Sequence, residues 1–270
     1  MKRTAVFCVL FNTYDELYKY YDSICSAVGY AKGEISVDFF VADNTEHDTQ
    51  EIILENAQNV RSRVFPFKKN VGYLRAVQKM MRESNIEIRQ YDYIAISNVD
   101  LVMQKDALLR LCEYNPEPKV GWVAPSLLSE QEGRDRNPGM MKRYTAHRLK
   151  ILMTMFRFPI LMTAYRATFY KRHRMQRVCP EGQAIYAGHG SFMLFTKEYF
   201  ACCGIPEFPM FLFGEELYFA ELCRQQGLSV VYYPSIKIRD QEHASVGKMH
   251  RSKKYRYNYD ALGYILRTFY

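Results

Sequence analysis

Short apolar runs of strand length alternate with amphipathic segments of helical spacing from position 5 to position 124, and nearly every run ends in a polar motif. Residues 5–11 are mostly apolar and stop at Asn12-Thr13, which reads as a buried strand. Residues 15–28 carry Leu17, Tyr20, Tyr21, Ile24 and Val28 at helical spacing. Strands are then expected at 36–42, 60–67, 93–97 and 120–124, with helices at 49–57, 72–82 and 105–114. In the helix at 72–82, Leu74, Val77 and Met81 share one face. This rhythm predicts an α/β fold with a mainly parallel central sheet and helices on both faces. Ligands of such sheets bind beyond the carboxyl ends of the strands, so chemistry is expected at the motifs that sit there.

The rhythm breaks after Pro125. Residues 127–181 show no clear strand, and Pro159 interrupts any helix within the Leu-, Met- and Phe-rich stretch 149–170. Order returns with strand residues at 184–188 and 191–196 around a glycine turn. A helix at 215–226 is ended by Gly227, and strand residues follow at 228–233 and 236–239. A tyrosine-rich helix is expected at 255–268.

The net charge is +8, and it is uneven: residues 136–180 contain no acid at all, and Lys248, Arg251, Lys253, Lys254 and Arg256 form a second basic cluster. Such patches either attract phosphates, anionic lipid or nucleic acid, or serve as a solvated face. No nucleic-acid recognition motif is present, so nucleic acid is not an expected partner. The seven cysteines are odd in number and lack C-x-x-C spacing, which argues for reduced thiols and against a zinc site. The apolar run after Met1 is too short for a signal peptide and lacks a small-residue cleavage site. No stretch has the length of a membrane span. A cytoplasmic protein is expected, peripheral on the inner membrane face.

Each strand-end motif has two readings. Asn12 and Asp43-Asn44 suit either turn chemistry or hydrogen bonds to a base or ribose hydroxyl. Asn70-Val71-Gly72 opens a helix, where Asn caps the helix or Gly admits close backbone approach by an anionic ligand. No GxxxxGK[ST] or GxGxxG fingerprint is present. Asn98 and Asp100 fall on one side of an extended segment, where both offer oxygen to a hard cation or Asp100 caps the next helix. Glu215-Glu216 follow the apolar loop FPMFLFG. One of these acids is a candidate base with a raised pKa, or the pair is ordinary first-turn acid enrichment. His243 follows strand residues and is a candidate metal ligand, whereas His47, His147, His173, His189 and His250 carry no such positional argument.

Taken in order, VLFN, VADNTEHD, NVGYLRAV, SNVDLVM, AGHGSFML with the following FLFGEELYF segment, and HASVGK resemble the inverting, GT-A-fold glycosyltransferases of family two. They are similar in particular to the rhamnosyltransferase-like enzymes of bacterial surface polysaccharide synthesis. The resemblance covers nearly the whole chain and is poorest at 127–181. Three positions depart from the family pattern. The metal segment reads Asn98-Val99-Asp100, the acid pair is Glu-Glu where Glu-Asp is usual, and the usual Gly-Gly-Phe-Asp turn reads Cys203-Gly204-Ile205-Pro206.

The resemblance implies a GT-A-like domain over 1–245. It comprises a nucleotide-binding half at 1–125, a helical basic and apolar insertion at 126–182 and an acceptor half at 183–245, followed by a basic helical tail at 246–270. It implies donor contacts from Asn12, Asp43, Asn70, Gly72, Asn98 and Asp100. Asp100 and His243 would hold Mg2+ or Mn2+, and Gly188, His189 and Gly190 would form the acceptor wall. Glu216 would be the base, as the second acid of the pair, with Glu215 beside it. The donor would be a UDP- or dTDP-sugar and the acceptor a glycan or lipid-linked glycan. An anionic membrane surface is a further expected partner, with Lys171 and Arg172 among its contacts. The alternatives are an inactive nucleotide-sugar-binding protein and a nucleotidyltransferase of similar fold. The latter needs a Gly-rich, Lys-containing N-terminal loop, which is absent.

Overall fold

The computed structural model describes residues 1–165, 179–241 and 249–270. His243, Lys171 and Arg172 therefore lie outside the described residues. The first half follows the sequence rhythm closely. Strand β1 (Lys2–Leu10) leads into helix α1 (Tyr14–Tyr30), which buries Leu17, Tyr20, Tyr21, Ile24 and Val28. Strands β2 (Ile35–Asp43) and β3 (Val60–Pro66) follow, then helix α2 (Tyr73–Glu83), which buries Leu74, Val77 and Met81. Next come β4 (Tyr93–Asn98), the short β5 (Leu101–Met103), α3 (Ala107–Glu113) and β6 (Val120–Ser129).

The helix expected at 49–57 does not form. That connection runs extended beside the sheet edge, where the Ser62 hydroxyl donates to the Leu54 carbonyl at 2.8 Å. The Ser62 N–H also donates to Asn56 Oδ1 at 2.9 Å. An edge strand needs partners for its outward groups, and these local bonds outweigh the weak helical pattern.

The segment read as strandless also differs. β6 runs on to Ser129 and pairs antiparallel with β7 (Arg134–Asp135). Side-chain bonds, not apolar alternation, hold this hairpin: the Leu127 N–H donates to Asp135 Oδ1 at 2.8 Å. Beyond it lie α4 (Ala146–Arg157) and α5 (Pro159–Tyr165), divided at Pro159 as its ring dictates. The expected strand at 184–188 shrinks to β8 (Ala184–Ile185). Then come β9 (Phe192–Thr196), α6 (Lys197–Cys203), α7 (Glu215–Gln225), β10 (Ser229–Asp240) and α8 (Arg251–Phe269).

One sheet in the order β3-β2-β1-β4-β9-β6-β10-β5 carries the described strands, with β7 on β6 and β8 on β10. β1, β2, β3 and β4 are parallel neighbours, as are β6 and β10. β9 enters antiparallel between β4 and β6. Strand alternation sends Phe7, Phe40, Ile96, Trp122 and Phe195 to one core, under α2, α6, α7 and α8. It sends Val6, Cys8, Phe39, Val41 and Leu194 to the other, under α1 and α3.

An ionic cluster around one buried carboxylate ties the second half together. Glu221, fully buried on α7, accepts from Arg143 Nε at 2.6 Å, Arg224 Nε at 2.8 Å and the Tyr186 hydroxyl at 2.6 Å. Arg143 also donates to the Phe269 carbonyl at 3.0 Å and stacks on the Tyr270 ring. Burial alone would raise the Glu221 carboxyl, but Arg143, Tyr186 and Arg224 together hold it below the usual range. Removing one partner of such a pair strands the other. Arg143→Ala is expected to cost about 2 kcal/mol, below the usual loss for a fully buried pair because Arg224 and Tyr186 remain. Urea unfolding checks this, with the exposed Lys142→Ala as a control that leaves the midpoint unchanged.

Candidate active site

The carboxyl ends of β1, β2 and β4 and the entry to β9 meet at one edge of the sheet, because β9 runs the opposite way. The Asn98 N–H donates to the Ser191 carbonyl at 2.8 Å across this junction. At the first strand end, Asn12 adopts a left-handed conformation (φ 56°), which Asn tolerates better than most residues. Its N–H donates to Thr45 Oγ1 at 3.0 Å. Asp43 is buried and receives the Tyr14 hydroxyl at 3.1 Å and the Thr45 N–H at 2.9 Å.

Asn44, beside Asp43, bridges to the next element. Its Nδ2 donates to the Gly72 carbonyl at 3.1 Å, and its buried Oδ1 has no hydrogen-bond partner. Asn70 does not cap α2. Its Oδ1 accepts the Gly72 N–H at 3.1 Å, and Gly72 itself is the N-cap residue. Gly72 has φ 93°, and a Cβ there would lie 2.5 Å from the Phe211 carbonyl oxygen. The close approach at Gly72 is thus to the FPMFLFG loop, and the Tyr73 N–H completes it by donating to that same oxygen at 3.1 Å.

The loop delivers the acid pair. Phe213 (φ 70°) and Gly214 (φ 84°) are successive left-handed residues that turn the chain into α7. A phenylalanine in that region stores about 1–3 kcal/mol of strain, a cost that clusters at functional sites. Glu216 Oε1 accepts the Gly190 N–H at 3.1 Å, and a Cβ on Gly190 would lie 2.6 Å from that oxygen. The Gly190 carbonyl in turn accepts the Tyr73 hydroxyl at 3.4 Å. Glu215 is buried beside Glu216. Burial raises both carboxyls, and the charge of Glu216 raises Glu215 further. Two like charges this close do not both ionise freely, so the pair titrates as a unit. The Gly190 N–H favours the ionised form on Glu216, and the backbone at Phe213 does the same for Glu215.

The neighbouring residues face different ways. Gly188 is packed inward, where a Cβ would lie 2.8 Å from Ala124 Cβ and 3.0 Å from the Trp122 ring. The His189 N–H donates to Asn137 Oδ1 at 2.8 Å, and its Nδ1 accepts the Ser191 N–H at 3.2 Å. Burial, with Arg136 nearby, pushes the imidazole down to about 4, so it is neutral at physiological pH. Asn98 Nδ2 reaches Ser191 Oγ at 3.4 Å.

Asp100 is buried and both carboxylate oxygens lack a hydrogen-bond partner. Burial raises its pKa to about 6, and the Asp240 charge adds to the effect while Arg136 opposes it. The Gln241 N–H donates to the Asp100 carbonyl at 3.0 Å, and Gln241 Oε1 is also buried without a partner. Unpartnered carboxylate and amide oxygens suit a hard cation, and Mg2+ is commonly held by one or two carboxylates plus substrate phosphates. No group of three His, Cys, Asp or Glu is assembled for a metal among the described residues. The donor set fits a cation completed by a diphosphate.

Sequence comparison decides the family at this point. The family described as Glycosyl transferase family 2 matches residues 5–203. This chain belongs to glycosyl transferase family 2. No curated protein matches it by sequence. Solved structures share its fold, among them TarS and GalNAc-T7. TarS from S. aureus is 10% identical with a TM-score of 0.52, over 89% of this chain and 37% of that one. GalNAc-T7, solved with UDP, GalNAc and Mn2+, is 11% identical with a TM-score of 0.54, over 90% of this chain and 43% of that one. The chain thus spans less than half the length of either. The fold is the GT-A arrangement of a mixed sheet with helices on both sides. No helix among the described residues is long and apolar enough to cross a membrane.

A buried carboxylate without partners is costly unless a cation neutralises it. Asp100→Asn is therefore expected to melt no lower than the wild type without metal, and to lose any thermal shift given by Mn2+. A lower melting temperature in the metal-free variant would show that Asp100 is structural.

Proposed function

We propose that the protein is a nucleotide-sugar glycosyltransferase that inverts the anomeric centre, with Glu216 as the base and Asp100 as the anchor of a divalent cation. The observation that carries the reading is the seating of Glu216 on the Gly190 N–H, beside Glu215, at the carboxyl edge of the sheet. That amide fixes the carboxylate in place and favours its ionised form, which is what a base requires. The acceptor hydroxyl attacks the anomeric carbon from the face opposite the nucleotide. A new C–O bond forms, the bond from the anomeric carbon to the phosphate oxygen breaks, and the nucleoside diphosphate leaves with the electron pair. Glu216 receives the hydroxyl proton.

Asn12 and Asp43 hold the nucleoside at the ends of β1 and β2, and Asn70, Gly72 and Asn98 border the donor. Asp100, with Gln241 and His243, would hold the cation. Bound there, a divalent cation supplies charge neutralisation for the departing diphosphate. His189 and Gly190 border the acceptor, with Gly188 behind them. The donor is a UDP- or dTDP-sugar, and the acceptor a glycan or lipid-linked glycan of a surface polysaccharide. The protein works peripherally, on the cytoplasmic face of a membrane.

A panel of UDP-, dTDP- and GDP-sugars, tested for metal-dependent hydrolysis and transfer, identifies the donor. With that donor, Glu216→Gln is expected to lose transfer by at least about 100-fold and keep donor binding, since the base acts on the acceptor. Glu215→Gln keeps most activity. Because the base must be ionised, wild-type turnover rises with pH, with a midpoint above the ordinary Glu range. Because the two carboxyls titrate as a unit, Glu215→Gln moves that midpoint to lower pH. An inactive Glu215→Gln with an active Glu216→Gln exchanges the two roles, and two active variants reduce the pair to helix capping.

A further inference from the structure

We infer that α4, α5 and the first turns of α8 form a docking surface for an anionic lipid bilayer. Helix α5 is turned against the usual pattern. Its inward side buries Met162, while Ile160 is 83% exposed and Leu161 47%. Phe158, at the corner between α4 and α5, is 56% exposed. Isolated exposed apolar residues need no explanation, but three large ones at a single corner mark a contact surface.

The cations around that corner identify the partner. Lys150 and Arg157 are exposed on α4, and Arg251, Lys253 and Arg256 are exposed at the start of α8. The two groups belong to one surface. Arg251 donates to Thr163 Oγ1 on α5 at 2.7 Å, and Phe156 on α4 packs on Tyr255 of α8 with ring centroids 5.6 Å apart. Lys150, Arg157 and Lys253 form no ion pair among the described residues. The chain offers no acid anywhere from 136 to 180. A protein partner of ordinary mixed charge has no use for such one-sided chemistry. Apolar side chains that insert and cations that meet lipid phosphates are what an anionic interface selects.

The same surface leads to the acid pair. A groove of about 420 Å³ between α4, α8 and the FPMFLFG loop is lined by Met153, Met210, Phe211, Leu212 and Tyr257. Its loop wall is the segment that ends at Glu215. A bilayer on this surface would hold a lipid-linked acceptor beside the loop that precedes Glu216. This part of the inference rests on the proposed transfer, whereas the docking itself does not.

Sedimentation of the full chain with vesicles of phosphatidylcholine, with and without phosphatidylglycerol, tests the docking. The wild type is expected to pellet only with phosphatidylglycerol and to be released by salt. Ile160→Ser combined with Leu161→Ser, and Lys150→Glu combined with Arg157→Glu, should each lower partitioning by at least about tenfold. All four positions are exposed, so thermal melting should match the wild type. Equal pelleting of variants and wild type overturns the inference. So does equal pelleting with neutral vesicles, and so does salt-insensitive self-association abolished by the Ile160/Leu161 pair without vesicle binding. The readout needs no turnover. Its failure leaves the transferase reading standing, and an active Glu216→Gln leaves docking standing.

Discussion

No side chain fits at position 190 while the Glu216 carboxylate occupies its place, and much of the site follows from that exclusion. The Gly190 peptide sits where β9 enters the sheet, one residue before the Ser191 carbonyl that accepts from the Asn98 N–H. Its N–H holds Glu216 and its carbonyl accepts from Tyr73 at the start of α2. One residue thereby touches the helix that follows β3 and the helix that carries the acids, and its neighbour Ser191 touches the end of β4. The reversed direction of β9 makes this meeting possible, because it brings a strand entry to the edge where its parallel neighbours end.

The rest of the second half serves to keep α7 in that position. Glu221 lies five residues beyond Glu216 and is locked by Arg143, Arg224 and Tyr186. Through Arg143 the cluster reaches the last residues of α8, so the carboxyl terminus of the chain bears on the helix that carries the acids. At the other end of α7, the left-handed Phe213-Gly214 pair and the contact between Gly72 and Phe211 fix the incoming loop. A helix clamped at both ends presents its first turn with little freedom, which is what a preorganised base needs.

The sequence was legible wherever local periodicity decided the structure. The buried faces of α1 and α2 follow from helical spacing of apolar residues, and the break at Pro159 follows from its ring. The extended 49–57 segment escaped because edge-strand bonds from Ser62 replaced its weak helical pattern. β5 and β7 escaped because they are too short to show alternation. In the site, the strand-end placement of Asn12, Asp43, Asn98 and Asp100 was readable from motif order. Asn44, Tyr73, Gln241 and the Arg143–Glu221 pair were not. Their roles depend on contacts across 28 to 141 positions of chain, for which no local signal exists. Tyr73 carried the nearest thing to a hint, lying directly after the glycine of NVGY.

The central claim is a single displacement at the anomeric carbon with Glu216 taking the proton. Proton NMR of the glycoside formed from a donor of known anomeric configuration reads this directly, because the new glycosidic bond does not mutarotate. The account predicts a product whose anomeric configuration is opposite to that of the donor. A product that keeps the donor configuration would contradict it, since retention needs a covalent or front-face route for which Glu216, seated on the Gly190 amide, is not the base.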